Sequence, residues 1–313
     1  MKLAVLGGGT GMSTLLSGLK KLPFDISAIV SVADNGSSTG RLREEFNTVA
    51  VGDIRKILVS LSENDEKVGK LFNYRFKTNS DLDGHALGNL LLTGAAQITG
   101  NMSDAIELVN SMLKLNGNVI PLTEDNVTLM GKMEDGNIVK GEEQITKDKR
   151  PISDVFYEKK PKVNPDVLKA IREADAIVLS MGSVFTSILP NLICPEVVSE
   201  IDKSNAKIIY VCNIMTQPGE TDNFSVSHHI KLLNNYLGKR KIDAVILNTG
   251  TVSEDIIKKY SRAEDKDLIY VDYDNIKKLN VDIIEDDFVI IRDNRIRHNS
   301  LRVAINLLSY LLD

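Results

Sequence analysis

The chain alternates short apolar runs with segments of helical periodicity. Leu3 to Leu6 is apolar throughout and Ile26 to Val32 is largely β-branched; Ala176 to Leu179, Lys207 to Val211 and Asp243 to Leu247 repeat the pattern. Runs of this kind, without polar alternation, fit strands covered on both faces, as in a parallel sheet flanked by helices. Between them Ile57, Leu58 and Leu61 recur at helical spacing, Pro165 opens a helix to Ala174, another helix ends at Tyr260, and Leu301 to Leu312 is amphipathic. The order of elements predicts an α/β fold with a mostly parallel sheet. From Val119 to about Pro165 the pattern breaks. Val127-Thr128-Leu129 and Asn137-Ile138-Val139 are β-like, with a turn at Asp135-Gly136-Asn137, and they predict a small β-hairpin insertion at about 119–165, suited to a lid or partner surface. Leu268 to Val271 is expected as a short strand, followed by Phe288 to Arg292. No repeat or low-complexity linker divides the chain, so residues 1–313 are expected to form one domain.

Candidate chemistry lies where the strands end. The first run passes into Gly7-Gly8-Gly9-Thr10-Gly11 and then Met12-Ser13-Thr14-Leu15, which reads as strand, glycine loop and helix. Glycines there permit a tight turn and close approach of a ligand, and the helix start offers free N–H groups at a positive dipole end. Gly8, Gly9, Thr10, Gly11 and Met12 therefore form a candidate phosphate cradle. Met12 occupies the third glycine position of the dinucleotide fingerprint, which argues against a nicotinamide-dependent oxidoreductase, and no Lys-Ser or Lys-Thr pair makes it a P-loop.

The second strand ends in Ala33-Asp34-Asn35-Gly36-Ser37-Ser38. Asp34 is placed to take a ribose hydroxyl or to hold a metal ion through water. Asp53 opens a helix, either as a cap or as a site carboxylate, and His85 and Asn89 are one helical turn apart. Later strand ends carry Gly182 and Ser183, then Asn213, Thr216, Gln217, Glu220 and Thr221, then Asn248-Thr249-Gly250. Parallel topology puts all of these loops on one sheet edge. Asp34, Asp53, His85 and Glu220 are the candidates for acid, base or metal roles if the protein is an enzyme.

Composition narrows the partner. The net charge of −5 and pI near 5.6 argue against nucleic acid, whose binding normally shows as clustered excess base. The one basic run, Lys147 to Arg150, sits among acidic residues and reads as a solvated loop. Eight Tyr, eight Phe and no Trp offer few stacking platforms and favour a small-molecule ligand. Cys194 and Cys212 lie in apolar surroundings, so a reduced cytoplasmic protein without a zinc site is expected. The start is expected to be a strand rather than a signal peptide, and no apolar run reaches membrane-spanning length.

Taken together, Gly7 to Gly11, Val32 to Arg43, Gly52-Asp53-Ile54-Arg55, His85-Ala86-Leu87-Gly88-Asn89-Leu90 and Asn213 to Thr221 closely resemble the bacterial gluconeogenesis factors, relatives of 2-phospho-L-lactate transferase, over nearly the whole length. The resemblance implies a Rossmann-like three-layer α/β/α core. It further implies binding of a UDP-sugar such as UDP-N-acetylglucosamine, with NAD as the other ligand to consider. The implied role is in cell shape and envelope precursor supply during gluconeogenic growth, with a protein partner in that synthesis and a homo-oligomeric assembly. Asp34, Asn35, Ser38, Asn89, Tyr260 and Arg297 join the ligand site on the same basis. Tyr260 offers a ring that could stack on uracil or a sugar face, and Arg297 a guanidinium that could hold a diphosphate. The transferases use magnesium and two adjacent aspartates; here the pair is Asp34-Asn35, and losing one charge weakens a magnesium site. A regulatory binding protein is therefore the first expectation and a phosphoryl-group transferase the second.

Overall fold

The computed structural model describes residues 1–63, 66–292 and 295–313, and within them all side chains but those of residues 262 and 263. Its strands are β1 (Lys2–Gly7), β2 (Asp25–Val30), β3 (Asn118–Pro121), β4 (Leu129–Met133), β5 (Ile138–Lys140), β6 (Ile152–Tyr157), β7 (Ala176–Leu179), β8 (Lys207–Val211), β9 (Ala244–Asn248), β10 (Asp282–Asp286), β11 (Val289–Arg292) and β12 (Arg295–His298). A seven-stranded sheet runs in the order β3-β2-β1-β7-β8-β9-β10. Every pairing in it is parallel, with Leu3 in register with Ile26 on one side and Ala176 on the other.

The unbroken apolar runs are explained by burial on both faces. Leu3 and Val5 point into one core with α1 (Gly9–Leu19), α2 (Ser37–Phe46), α3 (Val51–Leu61) and the helices Leu87–Thr99, Met102–Leu113 and Ser300–Leu312. Ala4 and Leu6 point into the other, with the helices Pro165–Glu173, Pro195–Lys203 and Val226–Tyr236. The side chains of Leu3, Ala4, Val5 and Leu6 are at most 1% exposed, so a polar residue at any of them would be stranded without water. The result is the Rossmann-like α/β/α arrangement. Strand order reverses between β1 and β7, and at that switch the carboxyl ends of the two strands leave a crevice.

Two expectations change, and one strand escapes the sequence reading. The segment from Val119 does not begin the insertion: β3 pairs with β2 in the central sheet, and the inserted piece is the antiparallel sheet β5-β4-β6 with the helix Glu142–Lys147. A four-residue edge strand carries too little pattern to be told from a hairpin arm. Leu268 to Val271 forms only isolated bridges, Leu268 with Met215 and Tyr270 with Ser225, because its backbone groups are taken by the loop after β8. The sheet instead closes on β10, whose sequence Asp-Ile-Ile-Glu-Asp has acidic ends that hide it. Among the described residues no single helix is long and apolar enough to cross a membrane.

Candidate functional site

The glycine loop has the geometry of an open helix start. Gly8 caps α1 in an extended conformation without a side-chain hydrogen bond, and the first turn contains no acidic residue, so the leading N–H groups have no capping side chain and the nearest carboxylate is Asp53 of α3. Gly9 sits at φ +64°, where a side chain is strained. A Cβ on Gly11 would lie 1.6 Å from the Met181 carbonyl oxygen, so this turn passes flush against the loop after β7. Met12 belongs to the core, fully buried, and contributes backbone rather than a side chain.

Above this turn a cavity of about 420 Å³ takes in Thr10, Gly11, Gly182, Ser183, Asn213, Thr216, Gln217, Tyr260 and Arg297 from the sequence-derived set. Thr14, Met181, Ile214, Met215, Ile296, Glu264, Lys266, Arg295 and His298 complete its lining. The last four were not singled out from sequence. The alternation Arg295, Ile296, Arg297 was the available signal, because a strand places both arginines on one face.

The loop after β7 is held as a unit with the loop after β8. Asn213 accepts from Gly182 N–H at 3.0 Å and donates to its carbonyl at 2.7 Å. Ser183 caps the π-helical turn Val184–Ile188 through Thr186 N–H at 2.9 Å. Glu220 is only 4% exposed and accepts from the Ser183 hydroxyl, the Phe185 N–H and the Gln217 amide. Burial pushes its carboxyl up to about 7, with those donors opposing the rise. Glu220 thus ties two loops together and lies behind the cavity wall, which disfavours the acid-base role considered for it. Thr221 is buried and accepts from Gln217 N–H at 2.9 Å, shaping the loop from within.

The C-terminal hairpin closes the cavity. Tyr260 is 8% exposed and packs with Ile214, Val252 and Ile296. Its hydroxyl accepts from Ile296 N–H at 2.9 Å. His298 bonds the Cys212 carbonyl at 3.0 Å, and burial drives its pKa down to about 4, so it donates as a neutral ring. Among the described residues the one hydrogen bond of the Arg297 guanidinium is a 3.4 Å contact with the Ile296 carbonyl, and Arg297 lines the cavity. Tyr260 therefore has a structural role as well as a place in the cavity lining, which the sequence alone did not suggest.

The other candidates gather on the β2 side of the glycine loop in two groups. In the first, Asp34 accepts from Gly36 N–H at 2.9 Å, and burial followed by Asp53 raises its carboxyl. Asp53 pairs with Lys56 at 2.9 Å and reaches the Gly8 backbone, where an added Cβ would lie 3.0 Å from its Oδ2. Glu142, from the inserted helix, faces both and is raised to about 7 by burial, Asp34 and Asp53. Nothing in the sequence pattern marked Glu142, because only docking of the insertion brings it there. Asn35 accepts from Glu143 N–H at 2.9 Å, so its amide fastens the insertion.

In the second group Ser38 Oγ lies 2.9 Å from His85 Nδ1 and 3.1 Å from Asn89 Nδ2, all three buried. Burial and then Arg41 lower the His85 pKa, favouring the neutral ring. His85 and Asn89 thus meet through a shared hydroxyl. Among the described residues no three His, Cys, Asp or Glu converge in a metal-holding arrangement.

Comparison with known proteins follows this geometry. Residues 3–289 match the family described as 2-phospho-L-lactate transferase CofD. The chain is similar to the gluconeogenesis factor of Listeria innocua, 42% identical over 311 residues, covering 99% of this chain and 95% of that protein. It is similar to the gluconeogenesis factor of Bacillus subtilis at 40% identity over 311 residues, covering 99% and 98%. A crystal structure of a protein from Bacillus halodurans superposes with a TM-score of 0.94 at 42% identity, covering 98% of this chain and 99% of that one.

Proposed function

The chain belongs to the 2-phospho-L-lactate transferase CofD family, among its gluconeogenesis factors, and from that premise we propose that its cradle binds a UDP-sugar. UDP-N-acetylglucosamine is the ligand of choice, and the protein acts as a regulatory binding protein in cell shape and envelope precursor supply. One observation carries this reading: a single cavity joins a helix N-terminus without a side-chain cap, the polar loops after β7 and β8, the Tyr260 ring and Arg297, which makes no ion pair among the described residues. Backbone N–H groups suit a diphosphate, Arg297 supplies the charge that dipoles lack, and Tyr260 offers a ring edge to a sugar or base.

The transferase reading has less support. The second position of the aspartate pair is the amide Asn35, which is engaged with the insertion, and the Lys56 ammonium sits on Asp53. Calorimetric titration with UDP-N-acetylglucosamine and with NAD tests the proposal. Saturable binding of the UDP-sugar, lost in Arg297→Ala, is the expected result. Metal-dependent release of UDP or UMP, abolished in Asp34→Ala, would decide for an enzyme.

A further inference from the structure

A second cavity, of about 650 Å³, adjoins the first and shares Thr14, Arg295, Arg297 and His298 with it. It lies between α1 and the β11–β12 hairpin, and its remaining walls include Ser17, Lys21, Arg292 and Ser300. No carboxylate lines it among the described residues. Lys21, Arg292, Arg295 and Arg297 make no ion pair with a carboxylate among them either. Glu264, across the shared wall, is held by Lys266 at 2.8 Å. In a chain of net charge −5, four cations around one hollow, none of them in an ion pair among the described residues, stand out against the background, with Glu264 acting only at longer range on Arg295 and Arg297.

The hairpin register adds an independent reason. Arg292 is directly opposite Arg295 across the antiparallel pair, and Ile290 is opposite Arg297. Like charges facing each other across strands destabilise a two-stranded ribbon, which is already a marginal element on its own. A multiply charged anion between them converts that repulsion into charge-assisted hydrogen bonds, and a guanidinium suits two oxygens of one phosphoryl group.

We propose that this groove is a phosphate-binding subsite distinct from the glycine-loop cradle, for a dianionic phosphoryl or diphosphoryl group. The group comes either from a second phosphorylated metabolite or from an extension of the nucleotide ligand. Lys21 and Arg292 line only the groove, whereas Arg295 and Arg297 line both cavities and couple their occupants.

The test uses the full chain and inorganic pyrophosphate, with Lys21→Gln, Arg292→Gln and the double variant. Pyrophosphate should bind wild type saturably and raise its melting temperature, and the double variant should weaken binding by about tenfold or more. Without anion, Arg292→Gln should melt no lower than wild type, because it relieves the cross-strand repulsion. If saturating UDP-N-acetylglucosamine leaves pyrophosphate binding in place, the group belongs to a second metabolite. If the nucleotide displaces it while the Lys21 and Arg292 dependence persists, the group is the nucleotide's own. Wild-type pyrophosphate affinity in the double variant would overturn the proposal whether or not UDP-sugars bind. Failure of UDP-sugar binding with Lys21- and Arg292-dependent pyrophosphate binding would overturn only the cradle's ligand.

Discussion

Asn213 grips both sides of the Gly182 peptide, accepting from its N–H at 3.0 Å and donating to its carbonyl at 2.7 Å. The loops after β7 and β8 therefore move as one wall of the cavity. Asn213→Asp keeps the acceptor and replaces the donor with a carboxylate oxygen facing the Gly182 carbonyl. The expected cost is about 1–3 kcal/mol of stability, with weaker UDP-sugar binding, read by chemical denaturation and calorimetry.

Tyr260 separates packing from recognition. Tyr260→Phe loses the bond accepted from Ile296 N–H and should cost about 0.5–1.5 kcal/mol. Tyr260→Ala also empties a place packed by Ile214, Val252 and Ile296, and should cost about 3–5 kcal/mol. A lowered melting temperature is thus expected for Tyr260→Ala, where sequence reasoning alone would predict a binding defect only. Arg297→Ala should leave melting near wild type and weaken UDP-sugar binding by about 1.5–3 kcal/mol.

The glycine loop needs a gentler probe than replacement of Gly9, whose φ of +64° strains any larger residue and mixes folding with binding. Gly182 has no such constraint. A Cβ there meets the Ser187 Cβ at 3.5 Å, an ordinary contact, and the Gly8 carbonyl at 3.8 Å. Gly182→Ala should therefore fold with near-wild-type melting while crowding the cavity, and calorimetry should show reduced ligand affinity.

Glu142 should make stability depend on pH. Its carboxyl is raised from 4.5 to about 7 in the folded protein, so the folded state holds a proton that the unfolded chain releases. Stability should fall as pH rises from about 4.5 to about 7 and the loss should be complete above that window. Glu142→Gln should abolish this component and raise stability at pH 8 by on the order of 1–3 kcal/mol, measured as denaturation midpoints across pH. Glu220, also raised to about 7, acts with the same sign and should leave a residual slope in that variant.

The sequence by itself determined the architecture and which strand-end loops gather at one edge of the sheet. Unbroken runs such as Leu3 to Leu6 can be stable only with helices on both faces, and glycines after the first strand leave the next helix start open. Polar loops at successive parallel strand ends had to meet on one edge, as Gly182, Asn213 and the α1 start do. Tertiary structure decided the rest. Glu142 reaches Asp34 and Asp53 only because the insertion docks through Asn35, and Glu220 turns inward because Ser183 comes to it from the neighbouring loop after β7. Arg292 opposes Arg295 only in the register of the hairpin. Periodicity records which face of its own element a residue occupies. What that face meets depends on long-range packing, on which a residue's pKa, burial and freedom to bind a ligand all rest.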